Sequence, residues 1–437
     1  MKFLKRDFLI NFILFSFSTA FLKVVGLVVF FYLGSQLSSS DYASFGILYS
    51  LQVLVNTFGI AGVVEFFVSR VHHTNNEDVK RELESVVATL LLILLTITCL
   101  FISIYFVIRY EPGIDLFLSF LFVLINSVVL TISSFRTQIE RLYGNYKDSL
   151  KFSFVVPLSS FIIGFVLFNM EHSVNSFFLG CALGSILSLL FLGGLNFNLS
   201  LSSYGLVWIA GLSCLPHIGS GFFGWVGGYG INHIITSELN VSVISTFSFL
   251  YPVGSLMQLF ASSMNQAWSP VFFREIHSDF SSSLEIKNKR FFKLMIFFLT
   301  LIGVIMVIFV PKLVRFFGGN IVAYVENEFY LFAIVLSYVV LPPFWHCQNY
   351  FLAYGLGGDL FNVGALSTGL GILFTVLFIR YFGEVGVYLG ILSTSIIKVV
   401  IIYIVSIRHW KLNVSFDFLF ACLFCLSIFY ICWYFLF

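Results

Sequence analysis

The chain of 437 residues is 59% hydrophobic and 10% charged, with a mean hydropathy of +1.00 and a formal net charge of +2. Soluble domains carry about 25% charged residues, so this composition excludes a water-solvated globular protein. The small net charge argues against a nucleic-acid partner.

A membrane-spanning helix needs about 20 predominantly apolar residues. Thirteen stretches meet that need, at about 10–33, 42–66, 85–108, 115–135, 153–169, 177–196, 206–229, 242–267, 291–311, 328–352, 360–381, 386–407 and 416–437. The first follows Lys2, Lys5 and Arg6, but it is longer than a signal-peptide apolar region and lacks a small-residue cleavage site. It is therefore expected to be a span. The longest connections, 67–84, 136–152 and 268–290, all fall on the side where the chain begins, and none is large enough for an inserted soluble domain.

By these boundaries 17 of the 23 Lys and Arg residues lie on the starting side, 4 on the other and 2 within spans. Basic residues accumulate on the cytoplasmic side, so the pattern predicts a bacterial inner-membrane protein with a cytoplasmic N-terminus. An even number of spans in each half sets spans 1 and 7 in the same direction, which is the condition for a parallel repeat. The expected fold is an all-α polytopic membrane protein. It has two six-helix bundles, 1–200 and 201–410, related by a pseudo-two-fold along the membrane normal. Residues 411–437 form an additional apolar segment, either spanning, re-entrant or lying on the surface.

Ionisable groups inside a membrane are costly and point to function. Lys23 lies mid-span in span 1, Lys398 mid-span in span 12, His217 centrally in span 7 and His346 in the inner part of span 10. Together they predict a polar cavity for an anionic substrate. The alternatives are lysines that snorkel to an interface and histidines bonded to neighbouring helices. Glu65 is the only acid well within a span, near its inner end, and reads as an interfacial carboxylate. A carrier of cations would be expected to hold mid-span carboxylates. Arg141 and Arg274 stand at the inner mouth, where they either guide headgroups or serve as positive-inside anchors. Pro216 and the Pro342–Pro343 pair mark possible hinges, with static bending as the alternative.

Gly219, Gly221 and Gly224 satisfy a nucleotide-binding spacing, but inside an apolar span they read as helix-packing residues. The chain has no Walker-type phosphate loop and no metal-ligand motif, so neither a metal nor a cofactor is expected. All seven cysteines fall in apolar stretches, and the Cys422/Cys425 pair has no second pair to complete a site.

Five loose motifs stand out: Asp41-Tyr42-Ala43, Arg141-Leu142-Tyr143-Gly144-Asn145, Leu215-Pro216-His217, Asn265 through Arg274, and Gly386-Val387-Tyr388-Leu389-Gly390. In these the chain resembles bacterial polysaccharide flippases of the O-antigen transporter (Wzx) type, within the superfamily that also holds multidrug-and-toxin exporters. Where that family frequently carries an Asp-Arg pair after span 7, this chain has Asn232-His233. The resemblance implies movement of a lipid-linked oligosaccharide, carried on undecaprenyl diphosphate, from the cytoplasmic to the periplasmic leaflet by alternating access. No catalytic residue is then expected. The implied partners are the lipid-linked substrate, membrane lipids, a polysaccharide polymerase and a chain-length regulator. A multidrug exporter of the same fold and a membrane polysaccharide polymerase or ligase are the alternatives.

Overall fold

A computed structural model describes residues 6–436 apart from 61, 72–76, 144, 196–203, 277–280, 355, 411 and 413. The side chains of 6–20, 65, 68, 69, 71, 77, 204, 266, 267, 269–271, 274, 281–283 and 434–436 lie outside the described part. Among the described residues every regular element is a helix. Among the described residues twelve helical stretches are long and apolar enough to cross a membrane, in addition to the apolar Phe21–Gln36, so this is a multi-pass membrane protein. Its exposed surface carries large apolar side chains such as Phe191, Phe316 and Ile114, as a protein solvated by hydrocarbon requires.

The first compact unit runs to Trp225. It contains α1 (Arg6–Gln36), α2 (Ser39–Ile60), α3 (Val63–Val71), α4 (Glu77–Tyr110), α5 (Ile114–Leu142), α6 (Tyr146–Glu171), α7 (Val174–Phe191) and α8 (Tyr204–Val226). The stretch read as one span at 42–66 is two helices. Gly62, at φ 79°, separates them, and a Cβ there would stand 2.7 Å from the Cα of Cys214. The break therefore admits the backbone of α8. Trp225 donates from Nε1 to the Ser50 carbonyl at 2.8 Å, and Phe58 meets Phe222 at 5.9 Å. These contacts group α8 with the first unit, so the compact units divide at Trp225, one helix later than the division at residue 200 drawn from helix parity.

Asp41-Tyr42 begins α2 as a reciprocal cap. The Ser38 hydroxyl donates to Asp41 Oδ2 at 2.6 Å and accepts from the Asp41 N–H at 3.2 Å. Tyr42 behind it is fully buried. At the other end of the unit Glu84 accepts from Arg136 Nη1 at 3.4 Å and from Tyr143 at 3.0 Å. Arg136 also donates from Nε to the Gly194 carbonyl, so α4, α5 and the end of α7 are tied together.

The second unit begins at Val226. It contains α9 (Ile231–Glu238), α10 (Val241–Gly254), α11 (Leu256–Ile276), α12 (Ser281–Phe317), a 3-10 turn (Gly319–Val325), α13 (Glu328–Val340), α14 (Pro342–Ala353), α15 (Gly357–Phe382), α16 (Glu384–His409) and α17 (Phe416–Leu436). Two expected spans are broken here as well. The stretch 242–267 changes helix at Ser255, and the stretch 328–352 changes helix at Leu341. Pro342 and Pro343 supply no N–H, so α13 cannot extend through them, yet they suit the first positions of α14.

Helix α17 runs beside α12 along most of a membrane thickness. The Lys293 ammonium lies 5.4 Å from the Phe418 ring and that of Lys312 lies 5.1 Å from Trp433. Nineteen residues separate the two lysines, about 28 Å of helix. The ring of Tyr430 stacks on Phe332 at 4.1 Å. A surface-lying segment could not make both terminal contacts, so of the three readings of 411–437 the crossing helix is the one the contacts fit.

In each unit two glycines four residues apart hold one helix close against its neighbour. A Cβ on Gly180 would meet the Ile163 carbonyl oxygen at 2.6 Å, and one on Gly184 would collide with Ser159, fixing α7 against α6. Gly386 against Phe378 and Gly390 against Thr375 do the same for α16 and α15. Small residues four apart let helix backbones approach where the solvent gives no apolar driving force. Gly386→Val should therefore lower stability by about 1–3 kcal/mol through overpacking. Gly364→Ala, where the new methyl meets nothing within 4 Å, should be neutral or stabilising. Thermal unfolding of the two purified variants in one detergent measures the contrast.

Candidate functional site

Lys398 stands in the middle of α16, 14 residues after Glu384 and 11 before His409. The nearer helix end is about 16 Å away, beyond the reach of a four-carbon stem. Its ammonium lies 4.6 Å from the centre of the Phe344 ring on α14. Phe344, Cys347, Val399 and Ile402 around it are buried and apolar. Among the described residues no carboxylate forms an ion pair with it. A cation–π contact contributes about 0.5–2 kcal/mol, whereas Lys at the centre of a membrane helix costs about 2.5–3.5 kcal/mol. The ring compensates only part of the charge.

Lys23 is the counterpart in the first unit, 13 residues before the end of α1. It is exposed, on a helix that packs against α6 through Phe21 on Phe154 at 5.8 Å and through Gly26 beside Phe161. Among the described residues it too lacks an ion-pair partner. His217 is exposed on α8. That helix continues through Pro216, whereas Pro342 and Pro343 stand at a helix junction.

His346 occupies a different setting from Lys398. Two positions apart on α14, Phe344 and His346 point to nearly opposite sides of the helix. The His346 residue is 1% exposed and enclosed by Phe292, at 4.9 Å between ring centres, and Tyr350. Trp268 donates to Asn288 Oδ1 at 2.7 Å, which leaves the Asn288 amide nitrogen facing His346 Nε2 at 3.5 Å. That nitrogen of the ring is then placed to accept. The expectation that His346 lines an open cavity is not what this packing provides. The residue joins α11, α12 and α14.

The stretch Asn265 to Arg274 belongs to the same scaffold. Asn265 and Asn349 exchange amide hydrogen bonds at 3.0 and 3.5 Å, Trp268 stacks on Phe291 at 5.0 Å, and Phe272 meets Tyr350 edge-on. Arg274 lies in α11 with its side chain outside the described part, as is that of Glu65 in α3. Arg141 is half-buried in the last turn of α5. Asn232 and His233 are both buried at the start of the second unit. Sequence reading missed the Trp268–Asn288–His346 relay and the Arg136–Glu84 pair. Asn288, just before the span at 291–311, was the available signal for the first.

Trp268→Phe keeps the stack on Phe291 but removes the donor to Asn288. Leaving that buried acceptor unmet should cost about 1–3 kcal/mol, read as a lower thermal midpoint, while Asn288→Leu in the Trp268→Phe background should recover part of it.

In comparison with solved structures the chain is similar to "Lipid II flippase MurJ, inward closed conformation", with 17% identity, a TM-score of 0.71 and coverage of 97% of this chain and 93% of that one. It is similar to an inward-facing multidrug resistance MATE family transporter of the MOP superfamily, with 14% identity, a TM-score of 0.70 and coverage of 89% and 94%. The MATE multidrug transporter DinF-BH in complex with R6G follows at 13% identity, a TM-score of 0.62 and coverage of 90% and 92%. The sequence matches no protein-family model and no curated protein. The chain thus has the fold of MOP-superfamily transporters, with nearly the whole of its length accounted for.

Proposed function

We propose that this protein is a flippase that carries an undecaprenyl-diphosphate-linked oligosaccharide from the cytoplasmic to the periplasmic leaflet of a bacterial inner membrane. The observation that carries this reading is the charge inside the spans: Lys23 and Lys398 sit mid-helix, and no Asp or Glu occupies a comparable depth. Such a path attracts an anion and repels a cation. A diphosphate supplies the charge that Phe344 compensates only in part. The oligosaccharide, too hydrophilic for hydrocarbon, needs the wet route that alternating access of two helical units provides, while the lipid tail stays in the bilayer. In this reading Lys23 and Lys398 hold the diphosphate or an acidic sugar and His217 supports them. Arg141 and Arg274 guide headgroups at the inner mouth, and the break at Pro342–Pro343 is the hinge, with Pro216 second. The residues perform no covalent chemistry. A polymerase and a chain-length regulator would take the product outside.

A multidrug exporter is the second reading, favoured by the likeness to the two multidrug transporters above. The lysines separate the two. Lys398→Met preserves the volume and the apolar surroundings, so it should leave folding intact or improve it. The loss of one charge-assisted contact, about 1.5–3 kcal/mol, should slow transport of the lipid-linked sugar roughly 10- to 100-fold. Surface polysaccharide in a strain complemented with the variant, together with the leaflet in which repeat units accumulate, measures this. Repeat units held on the inner leaflet are expected. Unchanged surface polysaccharide with lost drug resistance would assign the exporter instead.

A further inference from the structure

A cavity of about 800 Å³ opens at the end of the first unit where α5 finishes, α6 begins and α7 finishes. Its wall holds two cations, Arg136 and Lys151, and two carboxylates, Glu140 and Asp148. Phe152, Val155, Phe191 and Leu192 form the apolar part. The cavity lies at headgroup level whichever leaflet that is. The 29 residues of α5 extend about 44 Å, against about 30 Å of hydrocarbon, and the charged Arg136, Glu140 and Arg141 all lie towards its C-terminal end, which therefore belongs outside the lipid core.

The two charge pairs differ in what holds them. Arg136 is buried, bonded to the Gly194 carbonyl at 3.2 Å and to Glu84 at 3.4 Å, and so is a fixed positive wall. Lys151 and Asp148 meet at 2.7 Å with side chains 58% and 51% exposed. An exposed pair of this kind is worth at most about 1 kcal/mol and separates readily. Glu140 accepts from the Asn145 amide at 2.9 Å, which turns its carboxylate toward the same end of the unit.

We propose that this cavity binds the headgroup of a zwitterionic phospholipid, a phosphate joined to a primary ammonium. The phosphate takes the place of Asp148 on Lys151 beside Arg136. The ammonium takes the place of Lys151 on Asp148 and reaches toward Glu140. The intramolecular pair is thereby exchanged for two intermolecular ones, and the glycerol and first methylenes lie on Phe152, Val155 and the exposed Phe191. A purely anionic headgroup, or the diphosphate of the transported substrate, would face two carboxylates here. A cation would face Arg136 and Lys151. Only a dipolar headgroup meets both signs with their complements, so the cavity is a lipid site apart from the transport path.

Native mass spectrometry of the purified full-length protein, offered dioleoyl-phosphatidylethanolamine and dioleoyl-phosphatidylglycerol in equal amounts, tests this. Retention of the ethanolamine lipid over the glycerol lipid by about three- to fivefold is expected, the value of one exposed pair. Both Lys151 and Asp148 are exposed, so Lys151→Ala with Asp148→Ala should fold normally and lose that preference. Asp148→Lys should invert it toward the anionic lipid. Equal retention of the two lipids by the unaltered protein, a preference for phosphatidylglycerol, or an ethanolamine preference that survives the double substitution would each overturn the proposal.

Discussion

Hydrocarbon solvates neither a charge nor an unpaired backbone group, and that constraint organises this protein. It forces the chain into helices, which satisfy their own backbone. It sends most of the lysines and arginines to helix ends. It makes any charge left in the middle of a helix a statement about what else comes there. Lys398 is partly compensated by the face of Phe344, and Lys23 has no ion-pair partner among the described residues. A protein selected only for stability would carry apolar residues at both positions, since Met at Lys398 would fill the same space without the charge.

The same constraint explains how the helices hold together. Lipid competes for apolar surface as well as a neighbouring helix does, so association relies on close backbone approach and on polar contacts. Gly180 and Gly184 on α7, and Gly386 and Gly390 on α16, give the first in each unit. The Arg136–Glu84 pair and the Trp268–Asn288–His346 relay give the second. Both polar clusters sit near helix ends, where the lattice of side chains can reach several helices at once.

Much of this was legible in the sequence because its causes are local. Apolar runs of about 20 residues marked the spans, and Pro342–Pro343 marked a bend within one of them, where the structure has a helix junction. Other features have tertiary causes and left no local signal. Span 2 breaks at Gly62 because α8 approaches there, and nothing near residue 62 in the sequence announces Cys214. His346 reads like Lys398 as a polar residue in an apolar run, yet one is packed between Phe292 and Tyr350 and the other meets a single ring face. The motif at Asn265–Arg274 was visible, but that its Trp and Asn side chains brace α12 and α14 required the fold. The cavity between Arg136 and Lys151 is closed by the end of α7, which is distant in sequence from the α5–α6 turn.

The central claim is that mid-span cations mark a path for a lipid-linked anion. Its most direct test is reconstitution of the purified protein into vesicles with a fluorescent undecaprenyl-diphosphate-linked sugar, followed by an impermeant quencher. The unaltered protein should move the lipid between leaflets, and the Lys23→Met, Lys398→Met double variant should fold but fail to do so. Equal translocation by the double variant, or none by the folded unaltered protein, would contradict the account.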